Sequence, residues 1–91
     1  MVTMTIVTKK NKEGKFENIL EITPCLDGRF TYVYKTDNEI VKTEFSTSNI
    51  FDVDLKRIPI ILIGMGVMGY VRVHKVSSVR RYSQTLFSGD I

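Results

Sequence analysis

The chain has 91 residues, of which 43% are hydrophobic and 25% charged, and its formal net charge is +3 at pH 7. This length and composition exclude a disordered chain and predict that residues 1–91 form a single domain. The single cysteine, Cys25, excludes an internal disulfide and favours a reducing, cytoplasmic setting. The most apolar stretch, 58–73, is too short and too interrupted by glycine, proline and arginine to predict a membrane-spanning helix.

The first half of the chain predicts four β-strands joined by short turns. Alternating β-branched residues indicate a strand at 2–7, and a second apolar segment at 16–23 ends before a proline. Segment 29–36 alternates plainly between two faces, and 39–45 returns as a strand with the same period of two, which is typical of a hairpin. The predicted turns contain Gly14, Asp27-Gly28 and Asp37-Asn38.

Three aromatic residues, Phe30, Tyr32 and Tyr34, fall on one face of the third predicted strand. Two interpretations stay open at this point. The rings either line the core, where large side chains contribute most to packing, or extend an outward-facing aromatic surface.

The segment at 50–57 predicts one short helix. Asp52 and Asp54 near its start suit the helix dipole, as do the two basic residues at its end, and Pro59 is expected to stop it. Two acids that alternate with a valine could instead hold a metal or perform acid–base chemistry. The capping interpretation is favoured because the preceding residues are polar types that cap helices.

A glycine pattern, G-x-G-x-x-G, follows the apolar run at 60–63 and comprises Gly64, Gly66 and Gly69. Such a pattern can form a dinucleotide-binding turn, but that turn requires a helix directly after it and an acidic residue about 20 positions on, at the end of a second strand. Here 67–73 has the period of a strand, and the later acid lies among the terminal residues. We therefore expect a buried strand at 60–63 and an apolar hairpin over 60–68, with no bound cofactor.

Other chemistry in the chain points away from catalysis. His74 is the single histidine and Cys25 the single thiol, so a zinc site would depend mostly on carboxylates. A nucleophilic pair of these two residues is conceivable, but the default interpretation of Cys25 is a small apolar filler in a turn. The sequence predicts neither a metal site nor an enzyme.

The excess positive charge lies entirely in the last quarter of the chain. Residues 1–69 carry nine basic and nine acidic side chains, whereas 70–91 carry four basic side chains and one acid. This asymmetry indicates either a solvated face with a loose tail or a surface for an anionic partner. Residues 84–91 are expected to fray. The candidate nucleic-acid-binding residues, which mix aromatic and basic types on and after one strand, are Tyr70, Arg72, His74, Lys75, Arg80, Arg81 and Tyr82.

These patterns together predict a mainly β, β-dominated α+β fold: a small antiparallel barrel or strongly bent sheet of about six strands with one short helix near 50–57. The predicted function is a small non-enzymatic binding module for nucleic acid. The alternative is a protein-interaction module, an inhibitor or adaptor of the phage or mobile-element type, docking through an edge strand or the 60–68 hairpin. Self-association through that hairpin is a third hypothesis.

Overall fold

Six β-strands and one short helix form the protein in the computed structural model, which describes residues 3–36, 39–77 and 82–91. The strands make a single antiparallel sheet in the order β4-β3-β2-β1-β5-β6. The predicted β-dominated fold is confirmed. The sheet is open, with β4 and β6 at its two edges, as in a bent sheet rather than a closed barrel. The strands are β1 Thr3–Lys10, β2 Phe16–Pro24, β3 Phe30–Thr36, β4 Glu39–Ser46, β5 Tyr70–Ser77 and β6 Tyr82–Asp90.

Side chains of the turn residues organise the first two hairpins. The Asn11 carboxamide oxygen accepts hydrogen bonds from the backbone N–H groups of Glu13 and Lys15, both at 2.9 Å. At the next turn the carboxylate of Asp27 accepts from the backbone and the guanidinium of Arg29. Both turns lie where Asn, Asp and Gly predicted them. The predicted turn at 37–38 lies outside the described residues.

The helical region begins later than the sequence predicted. A 3-10 turn at Leu55–Arg57 leads directly into helix α1, Ile58–Gly64. The Asp54 carboxylate accepts a hydrogen bond from the Lys56 backbone N–H at 3.1 Å, so the capping interpretation of Asp54 is confirmed. The expectation that Pro59 ends a helix was wrong, because a proline in the first turn lacks only an N–H that this turn leaves unpaired.

The predictions of a buried strand at 60–63 and of an apolar hairpin over 60–68 were also wrong. An uninterrupted apolar run does not distinguish a buried strand from a buried helix, and here the run forms α1. The glycines then end the helix. Gly66 has φ +81°, its N–H donates to the Ile63 carbonyl at 2.9 Å, and the Val67 N–H donates to the Leu62 carbonyl at 3.0 Å. This pair of bonds is a Schellman motif at the carboxyl end of a helix, whereas a dinucleotide turn uses an amino end.

The core lies between α1 and one face of the sheet. Tyr32 is 3% exposed, and its hydroxyl donates to the Ser48 carbonyl at 2.7 Å and accepts from the Ile50 N–H at 2.8 Å. Phe30 and Tyr34 pack against the same cluster, so the idea that these three rings extend an outward surface was wrong. The buried apolar residues are Val7, Leu20, Ile22, Tyr32, Phe51, Ile58, Leu62, Val71 and Val73.

The carboxyl-terminal segment belongs to the sheet. Residues 84–91 were expected to fray, but in the structure β6 pairs with β5 along its whole length. Ile91 and Gly69 exchange two backbone hydrogen bonds, at 2.9 and 3.0 Å, and Leu86 and Phe87 pack against the core. Within the described ranges, no helix has the length and apolar character needed to cross a membrane.

Candidate nucleic-acid interface

The sheet has a second face, on the side away from α1, which we call the open face. Antiparallel partners directly opposite each other point to the same side, and Thr8 lies opposite Arg72 while Ile6 lies opposite His74. The neighbouring positions Val7 and Val73 are fully buried under α1. Arg72 and His74 therefore project from the open face, where they are partly exposed.

The structure brings together some of the predicted site residues and separates others. Tyr70, Arg72 and His74 alternate along β5 and share the open face, as expected. Lys75 lies opposite Thr5, which is 2% exposed, so Lys75 belongs to the α1 side of the sheet and not to this surface. The remaining predicted residues are Arg80 and Arg81, which lie outside the described residues, and Tyr82, of which only the backbone position in β6 is described.

An aromatic residue from β2, Phe16, which was not among the predicted site residues, completes a cluster with Tyr70 and Arg72. The Arg72 Cζ atom lies 4.1 Å from the ring centroid of Phe16 and 5.8 Å from that of Tyr70. The two rings meet edge to face, with centroids 5.9 Å apart. A guanidinium over a ring at this range is a cation–π contact. Phe16, Tyr70 and Arg72 form what we call the ring–arginine cluster.

Two hydroxyl groups from β6 border this cluster. The Tyr70 hydroxyl and Ser88 Oγ are 2.8 Å apart, and Thr85 Oγ1 lies 3.3 Å from His74 Nδ1. The contact with Ser88, and then the nearby Arg72, lower the pKa of Tyr70 from its ordinary value. These contacts orient the phenol and the imidazole on a sheet face, where a ligand can meet their polar edges.

Basic side chains gather at the same end of the sheet. Lys10 is the register partner of Phe16, so it projects beside the ring–arginine cluster. Lys12 and Lys15 follow in the exposed turn between β1 and β2. A groove of about 430 Å³ at this turn is lined by Lys9, Lys10, Asn11, Lys12, Glu17 and Ile19. The Asn11 amide donates to Glu17 Oε1 at 3.1 Å, which holds the one acid of the groove against the turn.

The other residues considered for catalysis or metal binding lie apart from one another. Cys25 Sγ lies 3.1 Å from Thr31 Oγ1 near the β2–β3 turn, whereas His74 lies on β5, two strands away from β2, and contacts Thr85. Asp52 is exposed and Asp54 caps the 3-10 turn. In the part of the chain that the structure describes, no three His, Cys, Asp or Glu side chains are grouped as they would be around a metal ion.

No protein-family model, curated protein or solved structure matches the chain. The function must therefore be inferred from the geometry of the described residues.

Proposed function

We propose that the protein is a non-enzymatic nucleic-acid-binding module that uses the open face of its sheet. The observation that carries this proposal is the ring–arginine cluster. Arg72 lies 4.1 Å from the Phe16 ring and next to Tyr70, on the face that α1 leaves uncovered. Aromatic rings and a guanidinium plane on a sheet offer stacking surfaces for unpaired bases, so the preferred ligand is a single strand.

The charges around the cluster support the same ligand class. Lys10 projects beside Phe16, and Lys12 and Lys15 extend from the adjoining turn, so a backbone that crosses the cluster meets several cations. Phosphate neutralisation by such side chains supplies most of the sequence-independent affinity. Arg80, Arg81 and Tyr82 follow β5 in the chain and are proposed to contribute to the same surface.

The test is a fluorescence-anisotropy titration of a labelled single strand over a series of salt concentrations. Arg72→Gln is expected to weaken binding and to reduce the slope of log affinity against log salt by about 0.7, the value for one lost contact to a single strand. The matched control is Arg29→Gln. Arg29 also lies over a ring, that of Phe45 at 5.1 Å, but its charge is paired with Asp27 at 2.7 Å.

The control is expected to leave affinity and slope unchanged. Absence of binding by the unaltered protein at low salt would overturn the proposal. An equal loss in Arg29→Gln and Arg72→Gln would show that the ring–arginine cluster is not the binding site.

A second candidate function, a protein-interaction module, is favoured by the outer edge of β6. This edge strand of nine residues has no lysine, arginine or proline, the residue types that usually block strand addition. An extended segment of another protein could add to it through backbone hydrogen bonds. Gly69 and Ile91 exchange backbone hydrogen bonds, so every second residue of β5 from Gly69 onward bonds to β6. Val76 falls between these bonded positions, and the register shift after Val73 makes Ser83 its partner. The Ser83 N–H therefore points outward.

Ser83→Pro is therefore expected to remove this outward donor while sparing the bonds between β5 and β6. Proteins captured from a host lysate are compared for the unaltered chain, Ser83→Pro and Arg72→Gln. Loss of a captured protein with Ser83→Pro alone supports strand addition. Identical capture by all three chains counts against it.

A further inference from the structure

Helix α1 exposes an apolar surface that the fold does not use. Its residues, Ile58–Gly64, include no polar side chain. Ile58 and Leu62 are fully buried against the sheet, whereas Ile60 is 69% exposed and Ile63 is 61% exposed on the opposite side. A helix on the surface of a domain normally turns polar residues outward, and a grouped apolar exposure marks an interaction site.

The exposed surface continues beyond the helix. Met68 is 72% exposed and lies five residues after Ile63. We call Ile60, Ile63 and Met68 the α1 surface. Methionine side chains adapt to irregular apolar partners, which suits a contact surface.

Gly64 provides a second, independent observation. It is exposed in the last turn of α1, its φ is negative, and a Cβ built there meets no atom within 4 Å. The fold therefore accepts alanine at this position, and alanine has the higher helix propensity. A glycine at such a position permits the backbone of another helix to approach closely, which a side chain would prevent.

The charged residues that precede α1 in the chain indicate which kind of partner binds the α1 surface. Asp52, Asp54, Lys56 and Arg57 are all exposed and sum to zero, and the α1 surface itself is uncharged. Lys56 and Arg57 lie in the 3-10 turn that leads directly into α1. A strongly acidic or strongly basic partner would meet like charges here. A two-fold-related copy can place each sign opposite its complement, because both copies contribute the same patch.

We infer that the α1 surface binds a second copy of this chain, with the two α1 helices packed against each other across a two-fold axis. The product has four layers: sheet, helix, helix and sheet. Both open faces point outward. This association does not depend on nucleic-acid binding, since the α1 surface and the open face lie on opposite sides of the sheet.

Sedimentation velocity over a dilution series tests the association. The unaltered chain is expected to shift from dimer to monomer on dilution. Ile60→Glu with Ile63→Glu is expected to be monomeric throughout, while the control Leu26→Glu, at a fully exposed position in the β2–β3 turn, behaves as the unaltered chain. Gly64→Ala is expected to raise the unfolding midpoint of the monomer yet to weaken the dimer at least about tenfold, the equivalent of 1.4 kcal/mol.

A charge-exchange experiment separates a two-fold dimer from unspecific adhesion. One variant carries Lys56→Glu with Arg57→Glu; the other carries Asp52→Lys with Asp54→Asn, which keeps an oxygen that can accept the Lys56 N–H. Each variant alone is expected to be monomeric, and an equimolar mixture is expected to form a heterodimer. A monomeric unaltered chain, a dimer that survives Gly64→Ala and both charge variants, or a mixture that does not associate would each overturn the inference.

Discussion

Phe51→Ala is expected to lower the free energy of unfolding by about 3–5 kcal/mol, the usual cost of emptying a fully buried aromatic site. Phe51 is 1% exposed and belongs to the same buried cluster as Ile58 and Leu62, which attach α1 to the sheet. Domains of this size are stable by about 5–15 kcal/mol. The variant should therefore unfold at a much lower urea concentration, as followed by circular dichroism.

The matched control is Phe45→Ala. Phe45 is 61% exposed on β4, and the Cζ atom of Arg29 lies 5.1 Å from the centroid of its ring. An exposed contact of this kind contributes about 0.5–1 kcal/mol. The two substitutions remove the same atoms, so the difference between their unfolding midpoints reports burial. Similar losses of stability in both variants would contradict the placement of the core.

Phe51 has this importance because the segment that carries it is fixed at several points. The side-chain amide nitrogen of Asn49 donates to Thr5 Oγ1 at 3.0 Å, and the side-chain oxygen of Asn49 accepts from the Phe51 backbone N–H at 2.9 Å. Tyr32 holds the neighbouring Ser48 and Ile50 through its hydroxyl. The polar residues after β4 were expected to cap a helix. Asn49 instead organises a turn that inserts Phe51 into the core.

Most of the sheet was predictable from alternation. The patterns at 29–36 and 39–45 predicted these strands correctly because their side-chain types repeat with a period of two. The run at 60–63 was misassigned because four consecutive apolar residues carry no period. The decisive signal lay beside it: Pro59 at the start and Gly66 after the end are the usual positions of these residues around a short helix.

The candidate site was predictable along one strand but not across strands. Alternation placed Tyr70, Arg72 and His74 on one face, and the same rule assigns Lys75, the next residue, to the other face. Grouping Lys75 with them because it follows closely disregarded the period of two. Phe16 is different, since its proximity to Arg72 depends on β1 lying between β2 and β5. No local pattern in the sequence predicts that order.

The layers of the fold separate the two proposed surfaces. α1 covers one face of the sheet, so the open face stays available, and the apolar side of α1 faces away from both. A dimer through the α1 surface would leave two open faces on opposite sides, each with its own ring–arginine cluster. Such a particle could bind two segments of one long strand, and linked binding events of this kind reinforce each other.

Replacing both rings of the ring–arginine cluster is expected to produce the largest loss of nucleic-acid affinity. Phe16→Leu with Tyr70→Leu keeps apolar side chains on the open face but removes the flat surfaces on which bases stack. Each base–ring contact is worth about 1–3 kcal/mol. Two contacts at the lower value of about 1 kcal/mol each correspond to roughly 30-fold weaker binding of a short single strand.

The control for this change is Phe45→Leu. Phe45 lies opposite Thr31 on the open face and is partnered by Arg29, so it repeats the ring and the guanidinium at another place on the sheet. Arg29 is paired with Asp27 at 2.7 Å, however, and attracts a phosphate less strongly than Arg72. Anisotropy titrations should show an unchanged affinity for Phe45→Leu. An equal loss of affinity in both variants would mean that bases stack across the whole open face. An unchanged affinity in the double variant would show that stacking does not contribute and that charge alone binds the strand.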